Sequence, residues 1–262
     1  MKKIAIVTGA SSGMGRLFAK TAAEHAEFDE LWIIARREKL LEEVKAEIPS
    51  VNVRCVPLDL TDENALKDFR QGLDAENPQI SLLVNAAGFG KFQAVEDIKP
   101  EIADSMLALN CKALMDMCYI CLPHMVAGSK ILNIASEAAF QPVPYITEYA
   151  ATKAFVLSFS RGLWKELQPK GITVTALCPY WTRTAFFDVA NEKNEKDRIT
   201  YFNVMYEPAD MVKRAWRDLA KGRDISTFGF VARAQIVLVK LLPHRLVMKT
   251  WCRQQKISIF AE

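Results

Sequence analysis

The chain has 262 residues, half hydrophobic and a quarter charged, enough for one large α/β domain or two small ones around a substantial core. A net charge of +3 and a pI near 8.5 are too mild to point to a nucleic-acid partner. No run reaches the roughly 18 uninterrupted apolar residues of a membrane span.

Met1-Lys2-Lys3 opens like a secretory leader, but the apolar run after it stops at Thr8-Gly9. Residues 4–7 read better as a first strand, and the expected location is cytoplasmic. Thr8-Gly9-Ala10-Ser11-Ser12-Gly13-Met14-Gly15 follows at once, ahead of a helical pattern at 16–26. Glycines there permit a tight turn and let the backbone approach a pyrophosphate, which a helix N-terminus attracts. The next strand, 31–35, ends at Arg36-Arg37. An acidic residue at that point would bind the ribose hydroxyl of NAD, whereas arginine matches the 2′-phosphate of NADP. NADP(H) is therefore favoured over NAD(H), with a solvated basic turn as the other reading.

Further strands are predicted at 51–58, 80–85, 129–135, 173–178 and 225–228. Helices are predicted at 38–48, 63–71, 100–126, 147–168 and 208–221. Continuous Val/Ile/Leu-rich strands with crossover helices specify an α/β fold: a single doubly wound parallel sheet of about seven strands with helices on both faces. Without repeats or a linker, residues 1–262 read as one domain.

Six cysteines lie in apolar surroundings. Cys118 and Cys121 have redox or zinc spacing but no companions, so buried structural thiols are expected. Residues 184–206 surround a polar centre at 191–198 with Phe186, Phe187, Tyr201, Phe202, Met205 and Tyr206. That composition suits a mobile substrate lid with an apolar underside, or a packed helical hairpin. The tail, 236–262, mixes Lys240, Arg245, Lys249, Arg253 and Lys256 with Leu241, Leu242, Leu246, Val247, Met248 and Trp251. It would pack on its own fold, on a partner subunit, or on an anionic membrane surface.

Tyr149 and Lys153 are four residues apart within the helical stretch at 147–168, so they share a face. At ~4 Å and an effective dielectric of ~20 the ammonium would favour the phenolate by at most about 4 kcal/mol. That would bring the phenol from ~10 towards ~7, useful for acid–base chemistry.

Taken in order, the Gly-rich turn, Leu58-Asp59-Leu60-Thr61, Asn85-Ala86-Ala87-Gly88, Asn110, Ser136 and the Tyr149…Lys153 pair resemble the signature of the short-chain dehydrogenase/reductase family, over residues 4 to about 229. The resemblance implies a Rossmann-type fold and an oxidoreductase acting between carbonyl and alcohol with a nicotinamide cofactor. It makes Tyr149 the acid or base, and Lys153 a ligand of the nicotinamide ribose that lowers the tyrosine pKa. Ser136 would polarise the substrate oxygen and Asn110 would hold a proton-relay water. Cofactor contacts would come from Gly9, Ser11, Ser12, Gly13, Met14, Gly15, Arg36, Arg37, Asp59, Leu60, Asn85, Ala86, Ala87, Gly88, Pro179, Thr182 and Thr184. A dimer or tetramer would pair the helices at 100–126 and 147–168. One departure stands out: Tyr180 follows Pro179 where the family usually has glycine. Val143, Tyr145, Tyr180, Trp181 and the lid would form a pocket for a bulky apolar substrate, such as a steroid, an acyl chain or a polycyclic metabolite. The alternative is an NADP(H)-binding redox sensor without turnover.

Overall fold

Residues 1–184, 186, 190 and 199–257 are described in a computed structural model. Their Val/Ile/Leu-rich runs form β1 (Lys3–Thr8), β2 (Glu30–Ala35), β3 (Asn52–Pro57), β4 (Gln79–Asn85), β5 (Met125–Ile134), β6 (Thr173–Leu177) and β7 (Ile225–Ser226). All pair in parallel, in the order β3-β2-β1-β4-β5-β6-β7.

Alternating side chains on each strand feed two cores, because successive residues point to opposite faces. Ala5 and Val7 of β1 and Leu31 and Ile33 of β2 pack with α1 (Gly13–Thr21), α2 (Glu38–Ala46) and Pro208–Ala220 through Phe18, Leu41 and Trp216. Ile4, Ile6, Trp32 and Ile34 face α3 (Glu63–Glu76), α5 (Leu114–Cys121) and α6 (Thr147–Leu167) through Leu73, Met117 and Val156, while α4 (Pro100–Leu107) lies against α6. A doubly wound sheet follows from this division. Pro208–Ala220 is α7, followed by α8 (Phe230–Leu241) and α9 (His244–Gln254).

The strand order reverses between β1 and β4, where open α/β sheets bind ligands beyond their carboxyl ends. Thr8 is in register with Ile34 on one side and Asn85 on the other, so the Gly-rich turn and the Ala86–Gly88 segment leave the sheet side by side.

Several boundaries differ from expectation. The turn glycines enter the first helix, which begins at Gly13 rather than 16. The stretch at 100–126 is broken by a π-helical segment, Ala108–Ala113, and ends at a 3-10 turn, Leu122–His124; β5 starts directly after it. By length and composition Pro100–His124 could cross a membrane, yet half of its apolar window is buried inside the fold. The tail forms two helices that a lone apolar-and-basic composition did not define.

Candidate active site

One cavity of about 1040 Å³ runs from the Gly-rich turn to the tail helices. Every residue expected in a catalytic or cofactor role lines it except Asn85 and Asn110.

The cofactor end is made mainly of backbone. Gly9 has φ +65°, and a Cβ there would fall 2.6 Å from the Ala87 nitrogen; a Cβ on Gly15 would fall 2.2 Å from the Gly9 oxygen. Only glycine permits both approaches. Thr8, absent from the expected set, holds the two loops together: its Oγ1 accepts from the Ala86 and Ala87 amides at 3.1 and 3.3 Å. Its buried position at the end of β1 was the available signal. Ser12 starts α1 without a side-chain bond to the first turn, which leaves those N–H groups open to an anion. Arg36 and Arg37 are exposed at the rim and form no ion pair among the described residues. Asp59 does not cap α3; Asp62 does, accepting from the Asn64 and Ala65 amides. The Asp59 carboxylate accepts instead from the amide and hydroxyl of Thr61 at 2.9 and 2.7 Å.

Asn85 belongs to the core rather than to the cavity wall. Its Nδ2 donates to Asn133 Oδ1 at 3.0 Å, and Asn133 in turn donates to Ser160 at 2.9 Å. Asn110 is fully buried in the π-helical segment. Its amide exchanges hydrogen bonds with the Phe89 backbone at 3.0 and 2.8 Å and donates to Thr152 Oγ1 at 3.0 Å. This side chain is committed to holding the loop after Gly88 against α6, so a water relay would need other atoms.

Ser136, at the end of β5, and Tyr149 and Lys153, on α6, meet at mid-cavity. Lys153 is buried; its Nζ donates to the Ile134 carbonyl at 2.8 Å and lies 5.7 Å from the Tyr149 ring centre. The expected drop of the phenol towards neutrality is not what this geometry produces. Burial pushes Tyr149 up to about 12, partly offset by its hydrogen bond with Ser136, and burial pushes Lys153 down to about 8. Desolvation dominates because both groups lose water on burial. Gly90 is a second omission. A Cβ there would fall 2.7 Å from the Tyr149 ring and 2.8 Å from Phe186, so this glycine lets the ring seat.

The other end is aromatic. Trp181 meets Phe92, Phe202 and Trp251 at ring separations of 5.9, 5.0 and 6.2 Å, and Phe186 lies 5.3 Å from Tyr149. Tyr180 keeps negative φ, so the backbone needs no glycine there, and its hydroxyl sits between Asn203 at 2.7 Å and Gln235 at 3.0 Å. Val143 lines this wall, whereas Tyr145 stands behind it in the left-handed region at φ +67°. Of the lid residues, Thr184, Phe186, Tyr201 and Asn203 line the cavity; Phe187 and 191–198 lie outside the described residues. The tail closes the wall: Trp251 donates to the Pro144 carbonyl at 3.0 Å, and Gln255 bonds the backbone of 200–201.

Glu137 was also missed. It is buried beside Ser136, lines the cavity, and has no side-chain hydrogen bond among the described residues; burial raises its carboxyl to about 8. By contrast Cys118 and Cys121 are buried with thiol pKa values raised by desolvation, which fits structural thiols. No metal-ligand cluster exists among the described residues.

The short chain dehydrogenase family model matches residues 3–195. Over 203 residues the chain is 34% identical to the very-long-chain 3-oxoacyl-CoA reductase of Anas platyrhynchos, covering 73% of this chain and 64% of that protein, so it spans less than two thirds of that relative. A short-chain dehydrogenase from Sphingobium yanoikuyae in complex with NADPH superposes with a TM-score of 0.76 at 26% identity, over 93% of this chain and 97% of that one. A 3-ketoacyl-(acyl-carrier-protein) reductase from Brucella melitensis complexed with NADH gives 0.69 at 29%, over 83% and 90%. The chain belongs to the short-chain dehydrogenase family.

Proposed function

We propose that this short-chain dehydrogenase is an NADP(H)-dependent oxidoreductase interconverting a carbonyl and a secondary alcohol on a bulky, apolar substrate. The observation that carries the reading is the meeting of Ser136, Tyr149 and Lys153 where the glycine-built end of one cavity joins its aromatic end.

The residues present fit a dinucleotide. Gly9 and Gly15 leave room for close backbone approach, the first turn of α1 offers unclaimed N–H groups, and Arg36 and Arg37 suit a 2′-phosphate. Asp59 and Leu60 would flank adenine, Lys153 would hold the nicotinamide ribose, and Pro179, Thr182 and Thr184 would border the carboxamide. When bound, the cofactor supplies or accepts the hydride.

The chain's own part is proton handling and shape. With its pKa near 12 the Tyr149 phenol keeps its proton at neutral pH, so it is poised to give one to a carbonyl oxygen, the reductive direction. Ser136 would hold the same oxygen beside the phenol. Asn110 acts as a positioning residue through Phe89 and Thr152. The rings of Phe92, Trp181, Phe186 and Trp251 favour an apolar substrate body at that end. The name of the duck relative makes a 3-oxoacyl thioester the first candidate, and ketosteroids and other bulky ketones the next.

An NADPH-oxidation screen over 3-oxoacyl thioesters, ketosteroids and quinones tests this, run beside Tyr149→Phe. The variant should lose about 10²–10⁴-fold in kcat while still binding NADPH. Undiminished turnover in the variant overturns the role of Tyr149. NADPH binding without turnover on any carbonyl overturns the enzyme.

The same reading places the protein in the cytoplasm, where its six free cysteines would stay reduced. It also places a homodimer or tetramer contact on the α4–α6 side, where Leu107, Tyr119 and Phe155 are exposed.

A further inference from the structure

Between Ile225 and Ile257 the chain carries six cations, Arg233, Lys240, Arg245, Lys249, Arg253 and Lys256, and no acidic residue. Taking those six from the net charge of +3 leaves the rest of the protein at −3. The basic character of the chain is therefore a property of this segment.

Its apolar surface is equally concentrated. Of the thirteen large apolar side chains exposed among the described residues, six fall here: Phe230, Val231, Val237, Leu238, Leu241 and Leu246. Phe230 is 80% exposed and Leu241 77%, values seen elsewhere only at Met1. At 3.6 residues per turn, Val237, Phe230, Leu241, Ala234, Leu238 and Val231 follow one another around α8 over an arc of about 120°. Ala232, Ile236 and Val239 occupy the opposite side and are buried against the fold. Arg233 and Lys240 border the arc on one flank. On α9, Arg245, Lys249 and Arg253 recur every fourth residue and form an exposed cationic row, while Cys252 and Trp251 face inward.

A helix with one apolar side on its own protein, a second apolar side in water and cations along the flank matches an interfacial helix lying in the headgroup region. A second copy fits less well, since it would set an equal group of cations against the first with no acid to meet them. We propose that α8 and α9 form a docking surface for an anionic lipid bilayer, with the outer ridge of α8 entering the headgroup–acyl boundary and the α9 row contacting the charged headgroups.

The docking surface is also the outer side of the cavity wall. Gln235 of α8 and Trp251 and Gln254 of α9 line the cavity from within. Docking there would bring the aromatic end of the cavity close to a reservoir of apolar molecules. The charge and exposure of α8 and α9 do not depend on the chemistry carried out in the cavity.

Co-sedimentation of the full chain with vesicles tests it, using phosphatidylcholine alone and phosphatidylcholine with about one-third phosphatidylglycerol. The protein should bind the anionic vesicles at least about tenfold better at low salt, and raising salt should remove most of that advantage. Leu238→Glu/Leu241→Glu should cut the bound fraction about tenfold or more, and Lys249→Glu/Arg253→Glu several-fold, both with unchanged circular dichroism and NADPH binding. No binding, equal binding to both vesicles, or variants that bind like the parent overturns the proposal. So does analytical ultracentrifugation showing, without lipid, a dimer that Leu238→Glu/Leu241→Glu dissolves, because a second copy would then own the ridge.

Discussion

The two ends of the cavity are built from different materials. At the cofactor end the wall is main chain: glycines that admit no Cβ, amides tied to Thr8, and an open helix N-terminus, all within a few residues of β1 and β4. At the substrate end it is side chain: Phe92, Trp181 with Phe186, and Trp251 converge from three distant parts of the sequence. A wall of backbone tolerates no change in shape, whereas a wall of rings can be re-cut one ring at a time. Substitutions should accordingly be all-or-none at one end and graded at the other.

The sharpest break should come from Gly15→Ala. Its Cβ would meet the Gly9 oxygen, a backbone atom that cannot swing aside as a side chain would. We expect loss of measurable NADPH binding by calorimetry and a stability cost of about 2–3 kcal/mol or more in urea unfolding. A variant that binds NADPH normally would show that the turn is soft, and the contrast between the two ends would fail.

Arg36→Ala should weaken NADPH about 10–100-fold, since hydrogen bonds to charged groups contribute about 1.5–3 kcal/mol each, and should leave NADH nearly unchanged. Equal losses for both cofactors would place Arg36 outside the phosphate site. At the far end, Trp251→Ala removes the ring stacked on Trp181 and the bond to the Pro144 carbonyl. KM for a bulky ketone should rise about tenfold, with the NADPH dissociation constant unmoved. A fall in NADPH affinity of the same size would mean that the ends are coupled.

The same contrast explains what could be read from the sequence. Strand runs, the glycine spacing and the order Asn110, Ser136, Tyr149, Lys153 are local patterns, and they located six strands closely, the sheet class and most of the lining at the glycine-built end of the cavity. What escaped depends on approach between distant segments. Trp251 looked like part of a basic tail, because nothing near it in the chain names Trp181 as its neighbour. Gly90 carries no motif, and its need appears only when the Tyr149 ring is set against it. The proton affinity of Tyr149 is hard to read for a related reason: i to i+4 spacing gives nearness along a helix, while burial, which raises the phenol, is a property of the whole fold.

Glu137 gives the smallest expected effect on turnover and the finest test. It follows Ser136 directly, so its carboxyl sits where the two building styles meet, buried and without a side-chain hydrogen bond among the described residues. With a pKa near 8 it is mainly a neutral acid at pH 7, able to donate a hydrogen bond to a substrate oxygen. The folded value lies above the unfolded 4.5, so the folded state holds the extra proton. Stability from this group is fully present below about 4.5, falls as pH rises, and is lost once pH passes about 8; the loss is on the order of a few kcal/mol. Glu137→Gln cannot ionise, so its urea stability should stay flatter than the parent's between those values. Its kcat/KM should also lack the few-fold decline expected in the parent as the carboxyl loses its proton near pH 8. Parallel pH profiles in parent and variant would mean that Glu137 is already ionised at neutral pH. The substrate end would then hold a buried charge, and its wall could not be treated as an apolar surface shaped by rings alone.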